Sequence, residues 1–175
     1  MQLNVGQQLR QPVGAVTVVD LEEPLLSFDD TELRALAGSA TLLRSDRGLL
    51  VTVHAKATVH ERCSRCLGDA SCPVDIDFEE EYVPIVDVIS GAAVHLSEED
   101  DVFRIGPEFI LDLREALRQY TLISEPAKPL CRPDCAGLCP TCGADLNRGP
   151  CDCPPHADER WQALAGLKTV GEEGS

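Results

Sequence analysis

Aromatic side chains are scarce in this sequence of 175 residues, where Phe, Trp and Tyr together make up 4%. Apolar residues nevertheless make up 43%, which is close to the average for folded soluble domains. We therefore expect a hydrophobic core built mainly from Val, Leu, Ile and Ala side chains. The length suits about one domain, with room for a small second module.

Long hydrophobic runs are also missing. No apolar segment approaches the roughly 18 residues that a membrane-spanning helix needs. The first ten residues, MQLNVGQQLR, lack the basic stretch followed by an apolar one that marks a secretory signal. These two absences predict a cytoplasmic protein that does not bind a membrane.

Basic residues are few, since 15 Lys and Arg stand against 30 Asp and Glu and the net charge is −15. Such a charge repels nucleic-acid phosphates, so direct contact with RNA is uncertain and a basic protein partner is favoured. Phosphate-binding glycine loops, His-Glu-x-x-His motifs and nucleophile elbows are absent as well. We therefore predict a protein that is not an enzyme.

Cysteine, by contrast, is frequent, and its odd number excludes complete internal disulfide pairing. In a reducing compartment, clustered thiols are more often metal ligands or redox groups than disulfides. The nine cysteines are Cys63, Cys66, Cys72, Cys131, Cys135, Cys139, Cys142, Cys151 and Cys153.

Alternation of apolar and polar residues predicts two long antiparallel strands, over residues 49–60 and from Cys72 to Glu79. Cys63 and Cys66 lie between them and are expected near the tip of a hairpin. Cys72 shares the apolar face of its strand, and we expect it to be a core thiol.

Other patterns predict further elements. Apolar residues at helical spacing indicate one packed helix over residues 107–123. A β-rich run indicates a strand over residues 13–19, and a threonine N-cap with a glycine stop favours a short helix over residues 31–37. Residues 87–101 are expected to form an exposed acidic loop, and residues 157–167 a short helix.

Together these elements predict an α+β fold with three parts. An antiparallel β-rich domain with one packed helix occupies residues 1–125. A cysteine-rich zinc-binding module follows over residues 126–156, because this segment has almost no apolar material and needs a metal or disulfides to hold its shape. Residues 157–175 form a short C-terminal helix and tail.

The sequence Cys139-Pro-Thr-Cys142-Gly143 has the form of a metal-binding knuckle, in which two thiolates point at one ion. Zinc needs four ligands, and either Cys131 with Cys135 or Cys151 with Cys153 could supply the other two. All six cysteines from Cys131 to Cys153 are therefore candidate ligands of a structural Zn²⁺. The spacing of Cys135, Cys139 and Cys142 also matches radical enzymes with an iron–sulfur cluster, but no barrel pattern accompanies it.

Cys63 and Cys66 permit three interpretations. They could supply half of a zinc site together with the knuckle or with spare cysteines, act as a redox dithiol, or form a plain structural turn. Redox Cys-x-x-Cys pairs usually begin a helix, which lowers a thiol pKa, whereas this pair lies between two predicted strands.

Local charge near the cysteines differs from that of the whole chain. Arg62 and Arg65 flank the first cysteine pair. If the two cysteine elements are neighbours in space, they could form a small basic face. The candidate partner-binding residues are Arg62, Arg65, Leu138, Asn147 and Arg148.

Two blocks of the sequence resemble the YceD family, also called DUF177, whose members are described as large ribosomal RNA subunit accumulation proteins. The first is Cys63-Ser-Arg-Cys66-Leu67 after the long alternating strand. The second begins at Ile110-Leu-Asp-Leu-Arg-Glu-Ala-Leu and continues through Leu130-Cys131, Asp134-Cys-Ala-Gly-Leu-Cys-Pro-Thr-Cys-Gly-Ala-Asp-Leu-Asn147 and Cys151-Asp-Cys153. The likeness extends over about residues 49–167.

The resemblance implies a non-enzymatic role in large-subunit rRNA accumulation or assembly. Taken with the charge, it leads us to expect a partner that is a large-subunit ribosomal protein or a pre-ribosomal particle. The alternative is a cytoplasmic thiol–disulfide or metal-transfer protein that uses Cys63 and Cys66. The sequence predicts no particular oligomeric state.

Overall fold

The computed structural model describes residues 1–95, 97 and 102–154 of the chain. Within these residues the fold is rich in β-strands, with two sheets and two helices. In chain order the elements are β1 (Gln2–Asn4), α1 (Gly6–Leu9), β2 (Val16–Ser27), β3 (Glu32–Arg44), β4 (Leu49–Arg62), β5 (Asp69–Pro84), β6 (Phe103–Ile105), β7 (Ile110–Asp112) and α2 (Arg114–Ser124).

The larger sheet has five strands in the order β2-β3-β4-β5-β6. Strands β2 to β5 are antiparallel neighbours, whereas β6 runs parallel to β5, so the sheet is mixed rather than purely antiparallel. The smaller sheet pairs β1 with β7 in antiparallel fashion. The expectation of a β-rich fold is confirmed, with this one parallel pair as a correction.

The two long predicted strands are present as β4 and β5, and each extends beyond its predicted range. Val53 pairs with Phe78, and Val59 pairs with Cys72. Alternate side chains of both strands are buried because one face of the sheet packs on the core. Cys72 lies on this face and is buried, as predicted.

Helix α2 packs on the core through Leu117 and Tyr120 of the predicted apolar stripe, but it begins at Arg114 and not at residue 107. Residues 110–112 instead form β7, because β1 offers them an antiparallel partner. Asp112 ends this strand and accepts a hydrogen bond from the Arg114 amide at 2.9 Å, which favours the start of the helix. Tyr120 of α2 stacks on Phe78 of β5 with ring centroids 4.7 Å apart.

The short helix predicted over residues 31–37 is wrong, since these residues belong mostly to β3. The register of β3 against β4 shifts between Arg34 and Ala37, and Ala35 between them has a positive φ of 51°. This bulge inserts an extra residue, so Leu33 and Leu36 both point into the core although they are three positions apart. The bulge therefore gives a strand two buried leucines three positions apart, which is the spacing of buried residues in a helix.

The remaining predicted elements agree in part. The first strand of the large sheet begins at Val16, later than predicted, and runs on to Ser27. Residues 87–95 of the predicted acidic loop form no helix or strand, and Ala93 makes an isolated bridge to Val86, just before them. The predicted helix over residues 157–167 lies outside the described residues.

Candidate metal centres

Eight of the nine cysteines gather into two groups of four. We call the first the hairpin cluster, which consists of Cys63, Cys66, Cys131 and Cys135. We call the second the tail cluster, which consists of Cys139, Cys142, Cys151 and Cys153. Within each cluster the four sulfur atoms lie within 4.8 Å of one another, so each cluster could hold a metal ion.

The spacing of the sulfurs in the hairpin cluster suits a tetrahedral metal. The Sγ atoms of Cys63 and Cys135 are 3.8 Å apart, and those of Cys66 and Cys131 are 3.7 Å apart. A zinc ion with four thiolates at about 2.3 Å has sulfur–sulfur edges of about 3.8 Å. These four side chains therefore need little movement to coordinate one zinc ion.

The grouping settles which cysteines are neighbours. Cys63 and Cys66 lie beside Cys131 and Cys135, and not beside the Cys139–Cys142 knuckle. The three cysteines with radical-enzyme spacing are divided, since Cys135 belongs to the hairpin cluster and the other two to the tail cluster. Cys72 is in neither group.

The turns that carry Cys63 and Cys139 have the same hydrogen-bonding pattern. The Cys63 amide donates to the Gly68 carbonyl at 2.7 Å, and the Leu67 amide donates back to Cys63 at 2.9 Å. In the tail cluster, the Cys139 amide donates to the Ala144 carbonyl at 2.8 Å, and the Gly143 amide donates back at 2.9 Å.

This likeness bears on the interpretation of the first cysteine pair. The turn that carries Cys63 and Cys66 joins β4 to β5 and begins no helix. It therefore lacks the helix end that lowers the pKa of redox Cys-x-x-Cys thiols. Its hydrogen-bonding pattern, which it shares with the predicted knuckle at Cys139, favours metal ligation over redox chemistry.

The hairpin is joined to the cysteine-rich segment by hydrogen bonds as well. The Ser64 amide donates to the Pro129 carbonyl at 2.8 Å, and the Leu138 amide donates to the Arg65 carbonyl at 3.2 Å. The Arg65 guanidinium in turn donates to the Cys135 carbonyl at 2.9 Å. Direct hydrogen bonds between the hairpin and the cysteine-rich segment therefore hold the two halves of the hairpin cluster together.

Backbone amides are the main cause of a lowered pKa at one thiol of each cluster. Hydrogen bonds from the amides of Cys131 and Cys66 lower the pKa of Cys63 to about 6. Hydrogen bonds from the amides of Cys142 and Thr141 lower the pKa of Cys139 to about 6. Each of these thiols therefore ionises more readily than an ordinary cysteine.

Other thiols in the same clusters resist ionisation. Burial, with the neighbouring thiols, raises the pKa of Cys131 to about 12. Hydrogen bonding to Cys142, together with burial, raises the pKa of Cys153 to about 12. Four sulfurs this close repel one another as thiolates, so a divalent cation that displaces the protons would relieve the repulsion.

The residues predicted to bind a partner occupy different settings. Arg62 is exposed, and Arg148 is exposed beside Asp145, with its guanidinium 3.4 Å from that carboxylate. Arg65 and Asn147 make contacts around Cys135, while Leu138 is half-buried. The two cysteine elements are thus neighbours in space, and partner binding by these residues stays a prediction.

Sequence reasoning does not foresee the role of Asn147 beside a sulfur. Its side-chain amide donates to the Cys135 Sγ at 3.4 Å, and its Oδ1 accepts from the Ala136 amide at 2.8 Å. Burial raises the pKa of the Cys135 thiol, but hydrogen bonds from Asn147 and the Gly137 amide outweigh it and lower this pKa. No spacing rule signals this contact, because it depends on the path of the chain after Cys142.

In the part of the chain that the structure describes, no helix has both the length and the apolar character to cross a membrane. The fold and the two clusters define a class, a β-sheet protein with two groups of four cysteines that could each bind a metal. Residues 51–168, which contain all eight clustered cysteines, match the family described as large ribosomal RNA subunit accumulation protein YceD. The chain belongs to this family, whose description refers to rRNA and not to a catalysed reaction.

Known relatives agree with this assignment. Uncharacterized proteins of Mycobacterium bovis and Mycobacterium tuberculosis are each 34% identical to the chain over 120 residues, which are 69% of this chain and 56% of the relative. The match thus spans little more than half the length of these relatives. An uncharacterized protein of Mycobacterium leprae is 25% identical over 164 residues, 90% of this chain and 73% of the relative. No solved structure matches the chain significantly.

Proposed function

We propose that this chain is a non-enzymatic, cytoplasmic assembly factor that supports accumulation of large-subunit ribosomal RNA. The observation that carries the proposal is membership of the YceD family, since the match covers nearly all of β4, the whole of β5, the helix α2 and both cysteine clusters. The expected partner is a large-subunit ribosomal protein or a pre-ribosomal particle.

Charge supports a basic protein as the first contact. The net charge of −15 opposes close approach to bare RNA phosphates and attracts the basic proteins that bind them. The exposed face of β5 carries Asp75, Asp77 and Glu79 at alternate positions, but Lys56 pairs with Asp75 at 2.8 Å and His54 contacts Asp77 at 2.7 Å. The acidic excess of the whole chain, more than this row, would therefore steer a positively charged partner and make the association rate depend on ionic strength.

Zinc is the metal that the clusters suit best. Four thiolates form a soft, closed ligand set that selects zinc or iron over harder ions, and a closed set of four leaves no position open for a substrate. We assign the metal a structural role, because residues 131–153 contribute only Cys135 and Cys139 to the buried apolar residues. Metal ligation would then supply the stability that burial does not.

Deletion of the gene, followed by complementation, tests the proposed function. We expect cells without the protein to contain less large-subunit rRNA and fewer mature large subunits in sucrose-gradient profiles. The wild-type gene and a Cys72→Ala control, which changes a cysteine outside both clusters, should restore them. Normal large subunits and normal rRNA in the deletion strain would refute the proposal.

One observation favours the alternative of a thiol–disulfide or metal-transfer protein, namely the lowered pKa of Cys63. The same thiol is fully buried, which opposes attack by an external reagent. Alkylation near neutral pH separates the two functions. The assembly-factor proposal expects slow modification of Cys63 in the folded protein, whereas the redox alternative expects rapid modification.

A further inference from the structure

Asn147 lies between two cysteines of the tail cluster in the sequence, but its side chain contacts a cysteine of the hairpin cluster. It is one of the eight residues between Cys142 and Cys151, both of which belong to the tail cluster. Its side-chain amide nevertheless donates to the Sγ of Cys135 in the hairpin cluster, at 3.4 Å. The side chain therefore links the segment between two tail-cluster cysteines to a sulfur of the hairpin cluster.

The oxygen of the same side chain binds the backbone on the hairpin-cluster side. Asn147 Oδ1 accepts from the Ala136 amide at 2.8 Å and from the Arg132 guanidinium at 2.7 Å. Arg132 and Ala136 belong to the segment that carries Cys131 and Cys135. One carboxamide thus contacts both the sulfur of a candidate ligand and the backbone next to it.

The position of Asn147 is held partly by the turn of the tail cluster and partly by Gly137, whose carbonyl accepts from the Leu146 amide at 2.9 Å. The turn at Cys139 closes onto Ala144, and Leu138 pairs with Asp145 in an isolated bridge. The Asp145 carboxylate then accepts from the backbone amide of Asn147 at 3.0 Å and from its side chain at 2.7 Å. An ordered turn at the tail cluster therefore restrains Asn147, which is only a few residues further along the chain.

We propose that each cluster holds its own zinc ion, two per chain, and that Asn147 couples them as a positioning residue for Cys135. The proposal rests on the structural zinc assigned under the proposed function and deepens it. Its basis is the combination of two separate four-sulfur sets with one side chain that is anchored beside the second set and donates to the first.

Two complete sites explain the cysteines better than one shared site. Each cluster supplies four sulfurs, and no cysteine is common to both. Zinc binds four thiolates in its structural sites, so each set satisfies one ion without a ligand from the other. A single ion would leave four crowded thiols without a cation.

The coupling follows from the position of Asn147 in the second coordination shell. A hydrogen bond to a thiolate ligand orients the sulfur and reduces its negative charge, and removal of such partners commonly lowers metal affinity about 10–100-fold. Metal in the tail cluster orders the turn that holds Asn147, and so raises the affinity of the hairpin cluster for zinc. Thermodynamic linkage requires that metal in the hairpin cluster strengthens the tail site by the same factor.

The first measurement is zinc stoichiometry of the full chain by native mass spectrometry, under reducing conditions. We expect two zinc ions in the wild type, one in Cys66→Ser, one in Cys151→Ser, and two in the control Cys72→Ala. Cobalt titration should give a tetrahedral thiolate spectrum for each site, without the colour of iron–sulfur. One zinc ion in the wild type would refute the two-site assignment and leave the structural role of zinc intact.

The coupling is tested by a double-mutant cycle with a zinc chelator in competition. Asn147→Ala should weaken the hairpin site on the order of 10-fold. Cys151→Ser, which empties the tail site, should also weaken the hairpin site. In the variant that carries both Asn147→Ala and Cys151→Ser, the two losses of zinc affinity at the hairpin site should not add, because both substitutions remove the same hydrogen bond.

Thr141→Ala is the matched control in the tail cluster, because the backbone amide of Thr141 and not its side chain donates to the Cys139 sulfur, at 3.4 Å. It should leave both affinities unchanged. Full additivity of Asn147→Ala and Cys151→Ser, or an unchanged hairpin site in Asn147→Ala, would refute the coupling. If Cys151→Ser does not fold by circular dichroism, stepwise zinc titration of the wild type and of Asn147→Ala decides the question.

These results are separable from the cellular role. A chain that binds one zinc ion, or two without coupling, but restores large-subunit rRNA would overturn this inference and leave the proposed function in place. Two coupled zinc ions in the purified chain, together with normal large-subunit rRNA in the deletion strain, would do the reverse.

Discussion

Leu67 and Gly143 occupy equivalent positions, each four residues after the first cysteine of a turn and each donating its amide back to that cysteine at 2.9 Å. Both have left-handed backbone conformations, with φ of 59° for Leu67 and 72° for Gly143. Glycine adopts this conformation freely, whereas for a residue with a Cβ it costs about 1–2 kcal/mol. The turn at Cys63 therefore carries a strain that the turn at Cys139 avoids.

Replacement of Leu67 by glycine should relieve this strain. The Leu67 side chain is 61% exposed, so little packing is lost. We expect Leu67→Gly to raise the free energy of unfolding of the zinc-loaded protein by about 1 kcal/mol, measured by urea denaturation. Leu67→Ala keeps the strained conformation and should change it by less than about 0.5 kcal/mol. An equal effect of the two substitutions would show that the side chain, and not the backbone, is responsible.

Gly137 is required where the cysteine-rich segment meets the hairpin. Its φ is +76°, and a Cβ there would lie 3.1 Å from the Arg65 carbonyl oxygen. Gly137→Ala should therefore combine backbone strain with disruption of the Leu138–Arg65 hydrogen bond, and lower the free energy of unfolding by about 3 kcal/mol.

Gly91 provides the matched control for that substitution. It has a similar φ of +69°, but a Cβ added at Gly91 would meet no atom within 4 Å. Gly91→Ala should cost only the conformational strain, about 1 kcal/mol. Equal losses of unfolding free energy for the two variants in the same denaturation assay would show that the close approach to Arg65 adds nothing to the cost of the substitution at Gly137.

Side-chain alternation is sufficient to predict β4 and β5, because both strands have one buried face along their length and no register shift between them. In β3 the bulge at Ala35 places Leu33 and Leu36 on one face, so the pattern imitates a helix. Residues 110–112 do not form a helix because β1, at the other end of the described chain, pairs with them. In β3 the pairing is with the neighbouring strand β4, and at residues 110–112 it is with a strand far away in the sequence, but in both cases strand pairing overrides local preference.

The candidate metal ligands are predictable from spacing, but their grouping is not. A Cys-x-x-Cys turn places two thiols together through local geometry alone. Which pair completes the set depends on how the chain returns to the hairpin after α2, and the contacts of Ser64 with Pro129 and of Arg65 with Cys135 determine that return. From the sequence, Asn147 is only a candidate partner-binding residue, because no local pattern places it beside Cys135.

A pH-dependent contribution to stability is expected from α2. Hydrogen bonds from Arg118 and Gln119 lower the pKa of Glu115 to about 2, below its usual value of 4.5. A carboxyl group with a depressed pKa in the folded state adds stability above pH 4.5, and this stability disappears as the pH falls through about 2. Wild type should thus be more stable than Glu115→Gln at neutral pH, with the difference shrinking between pH 4.5 and about 2.

The effect should be small because the ion pair is exposed to solvent. Denaturation of wild type, Glu115→Gln, Arg118→Gln and the double variant at several pH values measures it. Since Arg118 is the main partner, Glu115→Gln should lose most of its pH-dependent effect in the Arg118→Gln background. A difference that grows toward low pH would contradict the assigned ionisation.

Arg62 and Arg65 are three positions apart, and substitutions at the two sites can distinguish a structural role from a role in binding. Arg65 donates to the Cys135 carbonyl at 2.9 Å, while the Arg62 side chain is exposed at the end of β4. We expect Arg65→Ala to lower the free energy of unfolding by about 1 kcal/mol and to accelerate zinc release to a chelator, and Arg62→Ala to change neither. If both arginines also contact the partner, both variants should weaken binding of a purified pre-ribosomal particle, whose rRNA phosphates attract basic side chains. Faster zinc release from Arg62→Ala than from Arg65→Ala would refute the assignment of Arg65 as the residue that holds the hairpin to the cysteine-rich segment.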